Sequence, residues 1–327
     1  MNPTVTTADL MYFGKLPCRG DFIRSTQHAP LLDTLDRWQS QSMDRLAQDP
    51  RWKLVYDAAP AMQFAVLGNK STVGLAGTWI ASQDASGRRF PFILAAAFDL
   101  PDPQGFTALS PVALNRLWTQ LDQTTRLAYA ASDLDPIQSR LNGALEFDAS
   151  RSSSRAGLVD FLETHTVASL EQMLAAAGNR LSVRQSVLAL GLLLQPVMAQ
   201  GPAKLTKALC LPLVQDRLLR GPVASFWLSL VTGFFRRHEM EWGIFMVVHD
   251  GRPCMVLGFH GACAASMNAV MDPAVLRSSC VTVNEADWVE AEVEADYGLR
   301  KLSNYLKDPA LSLAQALRTY EEVFLGL

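Results

Sequence analysis

Residues 64–67 read FAVL, residues 73–81 read VGLAGTWIA and residues 90–98 read FPFILAAAF. Between them stand Gly68-Asn69-Lys70 and Gln83-Asp84-Ala85-Ser86-Gly87-Arg88. The apolar runs have strand length, and the breaks are built from residues that accept the backbone angles of tight turns. Breaks this short dictate antiparallel pairing, because a parallel pair needs a crossover of about a dozen residues or more. This stretch therefore predicts three consecutive antiparallel strands.

Helical spacing surrounds them. In residues 30–48, Leu31, Leu32, Leu35, Trp38, Met43 and Leu46 recur on one helical face. Residues 111–131 predict a second helix, with Pro111 suited to an early helical position. Residues 10–16 add a short strand. The first half thus reads as an α+β unit, an antiparallel sheet with flanking helices, over residues 1–147. Residues 148–155, with several serines and two arginines, predict a linker or exposed loop. Residues 156–327 then form a second region that mixes helices with a small sheet. Its expected helices are 156–176, 182–198 and 313–325, with Gln200-Gly201-Pro202 interrupting the pattern. Its expected strands are 224–230, 243–248 and 254–259, the last two joined at Asp250-Gly251, a strong hairpin signal.

Composition limits the function classes. Hydrophobic residues make up 49% of the chain, enough for a substantial core. The net charge of −3, without a stripe of Lys and Arg, argues against nucleic-acid binding. The most apolar stretch, residues 224–235, contains Ser225, Ser229 and Thr232 and stops at Arg236-Arg237-His238. It is shorter than the roughly 20 apolar residues a membrane span needs, so no direct membrane insertion is expected. The start is polar and lacks a basic-then-apolar leader pattern. Five cysteines at irregular spacing, none in a CxxC pair, read as reduced thiols. A cytoplasmic protein is expected.

Two motifs carry a resemblance. The first is Phe13-Gly14-Lys15-Leu16-Pro17-Cys18-Arg19-Gly20-Asp21-Phe22. The second is Ser82, Asp84, Gly87, Arg88, Phe90, Pro91 and Phe92, with Trp38 between the two. Together they resemble the signature of the TagF (ImpM) family of type VI secretion regulators over about the first 100 residues. Ser225-Phe226-Trp227 resembles a further serine–tryptophan element of that family, though Leu228 stands where a second aromatic is expected and Cys18 where a smaller residue is. The resemblance implies a profilin- or longin-like α+β fold for the N-terminal region. It also implies a post-translational repressor that binds type VI secretion components, the forkhead-associated scaffold protein above all. Some members carry a fused phosphatase domain; this chain lacks the metal-binding aspartate pattern of one.

The candidate partner-binding residues are Gly14, Lys15, Pro17, Gly20 and Asp21 in the first motif, Asp84, Gly87 and Arg88 in the second, and Trp288 farther on. Glycine permits positive φ and proline stiffens a loop. Asp21 is placed to accept loop amides, and Arg88 to pair with Asp84 or Asp21. Each of these roles equally serves to shape a loop without any partner. Trp288 stands among Glu285, Asp287, Glu290, Glu292, Glu294 and Asp296. That run reads first as a solvated helix face and second as a docking patch for a basic partner.

Sharper chemistry finds little support. Gly14-Lys15 lacks the upstream glycine and the hydroxyl residue of a phosphate loop. Arg19-Gly20-Asp21 is a tight turn by its composition. His238, His249, Cys254, His260 and Cys263 have no finger-like spacing, so neither a metal site nor a cofactor is expected. No Gly-x-Ser-x-Gly elbow is present, so no catalytic residue is assigned and a non-enzymatic role is expected. The alternatives are an enzyme or small-ligand binder using a cleft between the two regions, and a structural subunit of the secretion baseplate.

Overall fold

In the strand Phe92–Asp99 every residue except the last is buried. A strand with water on one face alternates in burial, so this one must be covered on both faces. The computed structural model describes residues 5–148 and 151–327. It shows how the covering is achieved.

The first half runs β1 (Val5–Gly14), β2 (Ile23–Arg24), α1 (Ala29–Leu46), α2 (Trp52–Ala58), β3 (Met62–Gly68), β4 (Val73–Ile80), β5 (Phe92–Asp99), α3 (Pro103–Ala113), α4 (Asn115–Ala130), α5 (Gln138–Leu141) and β6 (Ala144–Asp148). The second half runs α6 (Arg151–Thr164), α7 (Val167–Ala176), α8 (Val183–Gln200), β7 (Ala208–Pro212), α9 (Arg217–Thr232), β8 (Glu241–His249), β9 (Arg252–Gly258), α10 (Ala264–Met271), α11 (Pro273–Ser279), β10 (Cys280–Thr282), α12 (Val289–Ala295), α13 (Tyr297–Leu306) and α14 (Leu313–Leu325).

The architecture is mixed α+β around one large, mostly antiparallel open sheet, in the order β10-β7-β9-β8-β3-β4-β5-β1-β2, with β6 also on β1. Among the described strands, only β10 and β7 pair in parallel. The β3–β4–β5 meander has Ala65 opposite Ala76, and Ala76 opposite Ala96. The β8–β9 hairpin turns at Asp250 and Gly251, both with positive φ.

Alternate residues of one strand feed two cores. Phe92, Leu94, Ala96 and Phe98 pack with α3, α4, α8, α9 and α14. Ile93, Ala95 and Ala97 pack with α1, α2, α10 and α11. Three buried indoles find acceptors: Trp118 Nε1 donates to Phe64 O at 2.9 Å, Trp79 Nε1 to Gln39 Oε1 at 2.9 Å, and Trp227 Nε1 to Pro212 O at 2.9 Å, whereas Trp38 Nε1 has none among the described residues.

Several expectations change. Residues 224–230 are not a strand but the middle of α9, capped by Asp216. Its residues from Val223 to Leu228 are all buried, so the helix is apolar all round and hides its own period. Arg217–Phe235 is long and apolar enough to cross a membrane, yet most of it lies inside this core. Pro111 does not open a helix; it lies near the end of α3, and α4 starts at Asn115. The single helix expected over 156–176 is two, because Thr166 caps a fresh start at α7. Of the expected loop 148–155, residues 149–150 lie outside the described ones, and Arg151 already begins α6. Across that expected division the sheet continues without a break, since β3 pairs with β8 from Gln63↔Met246 to Gly68↔Glu241. Strands β6, β7 and β10 carried no separate sequence signal.

Candidate functional site

The two motifs meet at the end of β1. Gly14 has φ +131, and a Cβ there would stand 1.9 Å from Pro91 O. Only glycine lets the chain pass so close and leave the sheet. Lys15 N then donates to Pro91 O at 3.3 Å, and Leu16 drops into the core. Leu16-Pro17-Cys18-Arg19 closes as a turn, Arg19 N donating to Leu16 O at 3.0 Å, with Pro17 at the position its fixed φ suits. Gly20 has no positive φ among the described residues, so its freedom is not what the turn uses.

Asp84 organises the second motif. Its Oδ1 accepts from Ser86 N (3.0 Å), Ser86 Oγ (2.7 Å) and Arg88 N (3.0 Å). Its Oδ2 accepts from Lys15 Nζ (2.9 Å) and Arg88 Nε (2.7 Å). Burial alone would raise its pKa, but the bonds from Lys15, Ser86 and Arg88 win and hold the carboxyl well below the ordinary carboxylate range. Gly87, at φ +80, completes the turn, with Gly87 N donating to Asp84 O at 2.9 Å.

Three further bonds stitch the loops together. Arg88 Nη2 donates to Gly20 O at 2.7 Å, Ala85 N to Arg19 O at 2.8 Å, and Ser82 Oγ to Lys15 O at 2.6 Å. Behind them the Tyr56 hydroxyl donates to Ser82 O and accepts from Ser82 N, each at 2.8 Å. Burial pushes that phenol above its ordinary pKa.

The candidate residues thus divide. Gly14, Lys15 and Asp84 are buried and form a frame; Pro17 is half-buried. Gly20, Asp21, Ser86, Gly87 and Arg88 are exposed, and the Arg88–Gly20 bond joins their two loops. Asp21 does not pair with Arg88; its Oδ1 accepts from Phe22 N at 2.8 Å. Arg19 faces Asp135 at 3.4 Å and Asp133 at 3.6 Å. Phe22, part of the first motif but not one of the candidate residues, is 46% exposed. Its ring stacks on Phe13 (5.6 Å), meets Phe90 edge-on (4.8 Å) and lies under Lys15 Nζ (4.8 Å). The Gly20-Asp21-Phe22 context has no periodicity that would mark it as exposed.

Trp288 lies elsewhere, 47% exposed at the start of α12. Of the acidic run, Glu290 binds Arg184 and Gln185, and Asp296 caps α13. Among the described residues no group of three His, Cys, Asp or Glu side chains is placed to hold a metal ion. Ser225 is buried in α9 with its hydroxyl unpartnered among the described residues.

Residues 11–144 match the family described as TagF N-terminal domain, type VI secretion system-associated. No curated protein matches the chain. Among solved structures it is similar to the crystal structure of PA0076 from Pseudomonas aeruginosa PAO1, at 20% identity and a TM-score of 0.34. That match covers 42% of this chain and spans 64% of the other. The span that matches the type VI secretion system-associated TagF N-terminal domain, residues 11–144, holds both motifs and the Lys15–Asp84–Arg88 lock.

Proposed function

We propose that this chain is a cytoplasmic, non-catalytic repressor of type VI secretion that acts after translation by binding a component of the machine, the forkhead-associated scaffold. The TagF N-terminal domain supports the secretion context. The observation that carries the binding role is the division at the motif site. A buried Lys15–Asp84 pair holds two loops rigid, and they present Gly20, Asp21, Phe22 and Arg88 to solvent. A half-exposed aromatic beside an arginine, on a preorganised surface, has the composition of an interface hot spot. Trp288 and its exposed carboxylates offer a second contact for a basic partner.

Titration calorimetry of the purified chain against the forkhead-associated scaffold tests this reading. Saturable binding is expected, weakened by Phe22→Ser, with secondary structure by circular dichroism unchanged. Binding that ignores Phe22→Ser but falls with Trp288→Ala moves the interface to α12. Absence of binding to the scaffold sinks the proposed mechanism.

A further inference from the structure

Arginines from both halves of the chain line one cavity. It has a volume of about 200 Å³ and is walled by α4 and α9, with Met62 of β3 and Pro253 of β9 supplying apolar surface. Arg126 comes from α4, and Arg217 and Arg220 come from the first turn of α9.

The lining holds one carboxylate, Asp122, and it is already bound to Arg126 at 2.9 Å. Asp216, next to Arg217, caps α9 by accepting from Leu218 N at 2.9 Å. Among the described residues Arg220 donates only to backbone carbonyls, Val214 O at 3.1 Å and Gln215 O at 3.2 Å. Arg217 makes no hydrogen bond or ion pair among the described residues. Two cations therefore lack a carboxylate partner of their own. They also sit at the helix end whose dipole disfavours positive charge. Partial burial of Arg220 beside a like charge adds to the cost. Within the chain the nearby Asp216 carboxylate, itself engaged in capping α9, offsets part of this for Arg220, and an anion in the cavity would offset the rest. The volume is below that of a typical drug-sized site, which selects a compact ligand.

We propose that this cavity binds a compact oxyanion, a phosphate group or the carboxylates of a small metabolite, through Arg217 and Arg220 with Arg126 closing from α4. This site is separate from the motif surface, and its test does not depend on any secretion partner.

Titration calorimetry of the full chain with inorganic phosphate, and separately with malonate, at constant ionic strength set by chloride, checks it. At least one of the two is expected to bind saturably, and which one does identifies the ligand's chemistry. Arg217→Gln should weaken that binding roughly tenfold, the scale of one lost charge-assisted hydrogen bond. Arg217 is exposed and partnerless, so its replacement leaves the fold intact even if Arg220→Gln does not. Arg318→Gln, an exposed arginine on α14 that does not line the cavity, should leave binding unchanged. No saturable binding of either anion, or equal loss in Arg217→Gln and Arg318→Gln, overturns the proposal.

Discussion

Lys15 Nζ lies 2.9 Å from Asp84 Oδ2, and the two residues, 69 apart in the chain, are both buried. This pair joins the two TagF motifs. Losing one partner of a buried pair strands the other charge, whereas replacing both with apolar groups does not. Asp84 keeps Arg88 and Ser86 when Lys15 is lost, but Lys15 has only Asp84 among the described residues, so Asp84→Leu alone is expected to lower the melting temperature more than the double change Lys15→Met, Asp84→Leu. A double-mutant cycle measures this, and additivity of the single effects would show that the pair is not coupled.

The same carboxylate sets an acid limit. Its folded-state pKa lies below the ordinary 3.8. A depressed carboxyl contributes stability above the unfolded value and loses it as pH falls towards the folded one. The melting temperature should thus fall below about pH 4 more steeply in the native chain than in Asp84→Asn, whose deficit narrows with acid. Parallel pH profiles for the two proteins would remove Asp84 from the acid response.

Gly14 combines a positive φ with the close approach of Pro91 O. Gly14→Ala is expected to destabilise the chain by at least roughly 1–3 kcal/mol, the strain range for such backbone positions. Urea denaturation reads it. A change below about 0.5 kcal/mol, the ordinary surface level, would mean that the loop relaxes freely.

Ser225 tests the opposite sign. Its buried hydroxyl has no partner among the described residues, so Ser225→Ala removes a desolvated group without removing a hydrogen bond. Stability should stay level or rise by about 1 kcal/mol. A loss of that size would reveal a partner for the hydroxyl and give the Ser225-Phe226-Trp227 element a polar role.

Much of the first half was legible because local signals there agree. Turn residues bracket β3, β4 and β5, and the spacing of Leu32, Leu35 and Trp38 marks α1. The motifs were legible as motifs, but their parts were not sorted. Lys15 and Asp84 stood among the candidate partner-binding residues on the same footing as Gly20 and Arg88 until the fold buried them, and Phe22 stood in the motif without a role until its ring was left half open.

By itself, then, the chain's order of residues determined the antiparallel meander, the β8–β9 hairpin, the family of the N-terminal part and the charge balance. These rest on contacts between near neighbours or on residue types. Only the tertiary structure decided that residues 224–230 are helix, that β3 meets β8, which residues of the motif site face water, and that three arginines from α4 and α9 share a cavity. Each of these depends on what covers a residue from a distant part of the chain. An all-apolar run buried on every side has the same composition whether it forms a strand or a helix.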